Sequence, residues 1–252
     1  MIKITQSKIA GLSPKWAPFP GFSFLFDNPS ATFQAHEGIE TLACDLSSDK
    51  DLEFYRRAEA GFRKLDPDRL LNDFGVCALP PASYHVTAFD VANVADRPRI
   101  SPAALPELDF TLARLPSTEA FTQDILKNAQ GSEVGQGEWN LAFRYEDLCH
   151  WGMGISIGLA PLDDAEFTRF VEARANLSRT YRARYGIGAS EKFSPHVSLA
   201  YFMNSEGAEM ARRQMAEWDA VVRAAVGDQT IVFQSASLYG FTDMETFFRL
   251  AP

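Results

Sequence analysis

The 252-residue sequence has little of the cysteine and histidine that build disulfide frameworks and metal clusters. Its three cysteines, Cys44, Cys77 and Cys149, are odd in number, widely spaced and surrounded by apolar neighbours, so we expect reduced, buried thiols. No Cys-x-x-Cys or His-x-x-x-His spacing occurs among them and the four histidines. We therefore expect no metal, and a site built on Cys149 and His150 with a distant third ligand is the alternative.

Positive charge is also scarce, because 24 Lys and Arg residues stand against 33 Asp and Glu residues and give a net charge of −9. Sequence-independent binding to nucleic acid depends on cations that neutralise phosphates, so we expect no extensive nucleic-acid surface. One basic cluster precedes the second motif described below: Arg174, Arg179, Arg182, Arg184 and Lys192. We interpret most of it as a solvated helix face, and a positive field beside a binding site is the alternative.

Long apolar runs are absent from the sequence. No stretch approaches the roughly 20 apolar residues that cross a bilayer, and residues 1–16 lack the apolar run of a signal peptide, so we expect a cytoplasmic protein without a membrane partner.

The glycine-rich segments 131–139 and 151–158 match neither Gly-x-Gly-x-x-Gly before a helix nor a P-loop. We expect no cofactor, and we expect a monomer.

Hydrophobic spacing and turn signals predict an α+β fold. Helices are predicted over residues 48–64, 118–128, 163–186 and 204–227. Strands are predicted over residues 21–26, 39–45, 74–79, 83–90, 139–145, 152–160, 196–202, 230–239 and 246–250. The order of elements in the first half recurs loosely in the second, and a flexible connection is predicted at residues 131–139. This pattern favours a duplicated α+β lobe within one domain, residues 1–252.

Two strand-like segments repeat one local pattern, a histidine two residues before a hydroxyl: YHVTAF at residues 84–89 and PHVSLA at residues 195–200. Side chains alternate between the faces of a strand, so His85 and Thr87 share a face, as do His196 and Ser198. An imidazole beside a hydroxyl, present twice, is suited to hold a phosphate and move protons around it. The alternative is that each histidine is a hydrogen-bonded core or edge residue, which is how we interpret His36 and His150.

The same alternation predicts which aromatic residues accompany the histidines. Phe89 and Phe202 share the motif face and are candidates to stack on a base, with core packing as the alternative. Tyr84 and Tyr201 are predicted to point away from that face if the strands are regular.

The segments YHVTAF and PHVSLAYF resemble the paired His-x-Thr/Ser motifs of the 2H phosphoesterase superfamily, which includes 2′-5′ RNA ligase-like proteins and cyclic nucleotide phosphodiesterases. The closing segment FQSASLYGFTDMETFFRL resembles the last hairpin of that superfamily, and KWAPFPGFSFLF resembles the opening of an uncharacterised bacterial branch. Residues 91–188 align only by their order of elements.

The resemblance implies two pseudo-symmetric lobes of antiparallel sheet with outer helices, whose motif strands face a central groove. The first motif belongs to the half up to about residue 130. It implies a metal-independent phosphoesterase that acts on a cyclic or 2′-linked nucleotide or RNA-end phosphodiester. One of His85 and His196 would act as base and the other as acid, and the sequence leaves open which takes which role. Thr87 and Ser198 would bind nonbridging oxygens, and Tyr239 on the closing strand is a further substrate-binding candidate. The alternatives are a non-catalytic module that binds nucleotides or RNA ends, and RNA ligase-like activity.

Overall fold

The structure, a computed structural model, describes residues 3–12, 15–29, 32–47 and 49–251. Within these residues the strands are β1 (Ile9–Gly11), β2 (Lys15–Trp16), β3 (Gly21–Phe26), β4 (Thr32–His36), β5 (Ile39–Ala43), β6 (Val76–Ala78), β7 (Thr87–Asn93), β8 (Leu141–Trp151), β9 (Gly154–Pro161), β10 (His196–Phe202), β11 (Thr230–Phe233), β12 (Ala236–Phe241) and β13 (Phe247–Leu250). The α-helices are α1 (Glu53–Arg63), α2 (Pro67–Phe74), α3 (Leu105–Leu112), α4 (Asp124–Gln130), α5 (Glu133–Gln136), α6 (Asp164–Tyr185), α7 (Ser205–Ala211) and α8 (Met215–Val226). The predicted α+β class is confirmed.

Two antiparallel sheets carry one motif each. The five-stranded sheet has the order β11-β8-β9-β10-β6, and the six-stranded sheet has the order β4-β5-β13-β12-β3-β7. The second motif lies on β10, and the first begins just before β7 at the edge of the other sheet. Val86 and Val197 form an antiparallel bridge between the two motif segments. The two sheets therefore meet at the motifs.

Aromatic side chains fill the space between the two sheets. Phe26 of β3 lies with its ring centroid 5.0 Å from Phe233 of β11 and 6.3 Å from Phe143 of β8. Its ring also packs 4.9 Å from Phe170 of α6. Phe26 is 1% exposed, so this cluster is a dry contact between both sheets and the longest helix.

The helix predicted over residues 163–186 is confirmed as α6, and both of its ends are capped. The Asp163 carboxylate accepts hydrogen bonds from the backbone N–H groups of Ala165 and Glu166, which caps the helix. Gly186 ends it with a φ of 80°, in the left-handed region that favours glycine.

The single helix predicted over 204–227 is wrong, because two helices, α7 and α8, occupy this range. They are separated by a turn at residues 212–214, where the Gln214 N–H donates to the Ala211 carbonyl oxygen three residues earlier.

Several other predicted elements are corrected. Residues 118–128 form a 3₁₀ turn, Thr118–Thr122, and α4. The segment at residues 131–139 is not an irregular connection, since it contains α5 with Val134 buried in the core. Helices α2 and α3 were not predicted, although α2 has an Asp66 cap and a left-handed Gly75 at its end. Ser48, at which the helix predicted over residues 48–64 begins, lies outside the described residues.

Among the described residues, no helix is both long and apolar enough to cross a membrane. The assignment of residues 1–252 to one bilobal domain stays a prediction.

Candidate active site

A cavity of about 300 Å³ lies where the two motif segments meet, and His85, Thr87, His196 and Ser198 all line it. The bridge of Val86 to Val197 explains this arrangement. Both valines are fully buried, so the residues on either side of each valine turn to the opposite face. The structure thus brings together the four residues singled out by the repeated pattern.

The two imidazoles are held in the same way. Nδ1 of His85 lies 2.7 Å from the Ser83 carbonyl oxygen, and Nδ1 of His196 lies 2.9 Å from the Ser194 carbonyl oxygen. A carbonyl only accepts hydrogen bonds, so each Nδ1 carries its proton and donates. Each Nε2 is then left to accept a proton from, or donate one to, a ligand.

Aromatic rings fix the orientation of both histidines. The ring centroid of His85 lies 4.4 Å from that of Phe247, and His196 lies 4.4 Å from Trp151 in an edge arrangement. Trp151 is 41% exposed, so a flat apolar face is available to a ligand next to His196. Trp151 is a candidate stacking residue that the sequence pattern did not indicate.

Burial lowers the pKa of both histidines. The pKa of His85 falls from 6.5 to about 4, and the nearby His196 and Lys8 add to this decrease. The pKa of His196 is also lowered, first by burial. The carbonyl contacts and the Asp90 carboxylate oppose the decrease in both residues without cancelling it. At neutral pH both imidazoles of the unliganded site are therefore mainly neutral.

The prediction that Phe89 and Phe202 face the groove is wrong. Both are fully buried: Phe89 packs 5.8 Å from Tyr181, and Phe202 packs 5.1 Å from the ring of His150. A β-bulge in each motif strand is the cause, because an extra residue reverses the alternation that follows it.

The register of the strand pairs locates both bulges. In β7, Thr87 and Phe89 pair with the consecutive residues Leu25 and Phe24, so Ala88 is extra. In β10, Ser198 and Ala200 pair with the consecutive residues Ser156 and Ile155, so Leu199 is extra. The cavity is therefore lined by Asp90 and Tyr201 in place of the two phenylalanines. The prediction that Tyr201 points away is wrong for the same reason.

Tyr239 does not reach the cavity either. It is 1% exposed, and its hydroxyl lies 3.1 Å from the Asp27 carboxylate. The same carboxylate binds Ser235, Ser237 and Arg249. Tyr239 thus belongs to a polar network on its own sheet, and its predicted contact with substrate is corrected.

Lys8 is a cavity residue that the sequence pattern did not indicate. Its Nζ lies 3.2 Å from the Tyr201 hydroxyl oxygen and 5.0 Å from the ring centroid of Phe19. It lines the same cavity as His85 and His196, and its charge lowers the pKa of both. Among the described residues it forms an ion pair with no carboxylate, so its charge is available to an anion in the cavity.

The Cys149 and His150 alternative does not form a metal cluster. His150 Nε2 contacts the Ala208 carbonyl oxygen at 2.7 Å, and the Cys149 thiol contacts the Asp147 carboxylate at 2.9 Å. Burial raises the pKa of Cys149 to about 12, which disfavours the thiolate that a metal requires. Within the described part of the chain no three His, Cys, Asp or Glu residues are grouped to hold a metal ion.

Comparison with known proteins shows a related fold and no family. No protein-family model and no curated protein matches the sequence. Among solved structures, a conserved protein of unknown function from Agrobacterium tumefaciens matches with a TM-score of 0.53 and 14% identity, covering 96% of this chain and 88% of that one. Usb1 of Kluyveromyces marxianus, solved with uridine monophosphate, matches with a TM-score of 0.38 and 10% identity, covering 92% and 98% of the two chains. At so low a TM-score the second likeness indicates neither fold nor function.

Proposed function

We propose that this chain is a metal-independent phosphodiesterase that hydrolyses a cyclic or 2′-linked nucleotide or RNA-end phosphodiester. The observation that carries the proposal is the pair of imidazoles, each held at Nδ1 by a carbonyl, in one cavity with Thr87 and Ser198. Hydrolysis needs a base for water and an acid for the departing ribose oxygen, and the two imidazoles supply both. The paired motifs of the 2H phosphoesterase superfamily, which this sequence resembles, support the same reaction.

We assign the role of base to His85 and the role of acid to His196. His85, with a pKa lowered to about 4, stays neutral and removes a proton from the attacking water. His196 gives its Nε2 proton to the ribose oxygen as the bond from phosphorus to that oxygen breaks. A phosphate monoester and a free ribose hydroxyl result. The hydroxyls of Thr87 and Ser198 and the Lys8 ammonium bind the nonbridging oxygens as negative charge accumulates on them.

A panel of substrates in excess EDTA tests the proposal. It contains 2′,3′-cyclic mononucleotides, ADP-ribose 1″,2″-cyclic phosphate and 2′-5′ oligonucleotides. We expect turnover of at least one class to a phosphate monoester, measured by chromatography, and an unchanged rate after chelation. Binding without turnover across the panel would contradict the hydrolase and favour a binding module. Activity lost in EDTA and restored by one divalent ion would contradict metal independence.

The lowered pKa values predict an acidic optimum for kcat/KM, which reports the free enzyme. His85 must be neutral, which requires a pH above about 4, and His196 must be protonated, which requires a pH near or below a pKa that lies under 6.5. We expect a bell-shaped profile that peaks below pH 6.5, measured at constant ionic strength from about pH 4 to about pH 9. Bound phosphate favours the protonated imidazole, so the profile of kcat should lie at higher pH than that of kcat/KM. A kcat/KM maximum above about pH 7.5 would contradict these roles.

A further inference from the structure

Arg174 of α6 is a buried cation without a carboxylate partner. It is 8% exposed, its Nε donates to the Ala88 carbonyl at 3.0 Å, and its Nη1 donates to the Ser190 carbonyl at 2.7 Å. Its guanidinium lies 4.7 Å from the ring centroid of Phe193. No ion pair among the described residues includes it.

Arg169 and Arg182 of the same helix differ in this respect, while the exposed Arg179 and Arg184 donate to the side-chain oxygens of Asn176 and Asn128. Arg169 pairs with Glu166, and Arg182 pairs with Glu191. Both of these arginines are more exposed, with 42% and 47% of the side chain accessible. The most buried of the three cations is therefore the one without an ion pair, and the Asp90 carboxylate offsets only part of the decrease that burial causes in its pKa. This is unfavourable in the unliganded protein, because a buried charge needs a partner to offset its lost hydration.

Arg174 lines a second cavity of about 690 Å³ that adjoins the candidate active site. Thr87, Asp90 and His196 line both cavities, so the two cavities adjoin each other at these three residues. The Ala88 carbonyl that Arg174 holds directly follows Thr87 in the chain. The guanidinium donors that the two carbonyls leave unused are available to a ligand in this cavity.

Charge is unevenly distributed around the second cavity. Arg174 and Lys192 come from α6 and the loop that follows it, while Glu146 and Asp147 come from β8 and Asp90 comes from β7. An anionic group entering this space is attracted to the α6 part of the wall and repelled by the carboxylates of β7 and β8.

We propose that Arg174 forms a subsite for a second phosphate of the substrate, next to the phosphodiester that lies between His85 and His196. This inference rests on the proposed function and narrows its substrate class. The preferred substrates are oligonucleotide ends and nucleotides with an additional phosphate, in preference to cyclic mononucleotides that carry a single phosphate. The helix that was interpreted as a solvated basic face thus contributes one side chain to binding.

Binding of unreactive product analogues tests the subsite separately from catalysis. The probes are adenosine 2′- and 3′-monophosphate and the corresponding 2′,5′- and 3′,5′-bisphosphates, whose dissociation constants are measured by calorimetry at fixed salt. We expect one bisphosphate to bind about 10-fold to 100-fold more tightly than its monophosphate, the range for a hydrogen-bonded charge pair. In Arg174→Gln the ratio should fall to about 1.

A second variant avoids the loss of the buried arginine. Ser190→Asp introduces a carboxylate on an exposed residue beside the Arg174 guanidinium and should also remove the preference for the bisphosphate. Ser190→Asn has a side chain of the same shape as aspartate but without its charge, and should retain the preference. Equal affinity of wild type for monophosphates and bisphosphates overturns the subsite and leaves the proposed function standing. A preference that persists in both Arg174→Gln and Ser190→Asp overturns the assignment to Arg174. Binding of none of the four nucleotides overturns the proposed function together with the subsite.

Discussion

We expect His85→Ala and His196→Ala each to lower kcat on an accepted substrate by about 10²-fold to 10⁴-fold, the usual contribution of a positioned proton-transfer group. Each variant removes an imidazole whose Nδ1 is held by a carbonyl and whose Nε2 is available to the cavity. Substrate affinity should change much less than kcat, because Thr87, Ser198 and Lys8 remain. Steady-state kinetics with a cyclic or 2′-linked substrate measures both quantities.

The matched control is His36→Ala. His36 lies on β4 with 87% of its side chain exposed, and its nearest acid is Glu37 at 3.8 Å. We expect wild-type kinetics from this variant and a folded thermal transition from all three. Full turnover by either motif variant would disprove the two-histidine mechanism, while equal losses in His36→Ala would indicate an effect unrelated to the cavity.

Phe26→Ala should lower the free energy of unfolding by about 3 to 5 kcal/mol, the cost typical of removing a buried phenylalanine ring. The ring contacts Phe233 and Phe143 of the other sheet and Phe170 of α6. Its loss leaves a cavity between the sheets that carry the two histidines, so kcat should also decrease while the protein is still folded. Urea denaturation followed by circular dichroism gives the free energy.

Phe110→Ala is the matched control for this stability change, since Phe110 is 43% exposed on α3. We expect a change of at most about 0.5 kcal/mol from it. A loss below about 1 kcal/mol in Phe26→Ala would contradict the role of this cluster in joining the sheets.

Local pattern was sufficient to predict four of the cavity residues. His85 and Thr87, like His196 and Ser198, are separated by one buried valine, and over so short a distance strand alternation holds. The prediction failed one step later, at Phe89 and Phe202. A bulge depends on how a strand pairs with its neighbour, and its position is therefore not contained in the periodicity of the strand itself.

Two residues that the pattern did not indicate, Lys8 in the cavity and Trp151 in the adjoining one, depend on distant contacts. Lys8 meets Tyr201 across 193 positions of sequence, and Trp151 meets His196 because β8 and β9 form a hairpin beside β10. A single lysine or tryptophan has no local signature of such a contact. The break between α7 and α8 likewise has no local signature in the sequence. Apolar residues keep their helical spacing from one side of the turn at residues 212–214 to the other, so the pattern predicts a single helix over 204–227.

The two bulges have a further consequence. Each shifts the groove-facing position to the fifth residue after the histidine, where one motif has Asp90 and the other has Tyr201. Two identical half-sites would bind a phosphodiester in either orientation with equal free energy, and half of the encounters would present the leaving oxygen to the wrong histidine. In the proposed reaction, a carboxylate on one side and a phenol held by Lys8 on the other would remove this degeneracy, so the two residues that the bulges bring to the groove would favour one orientation of the substrate.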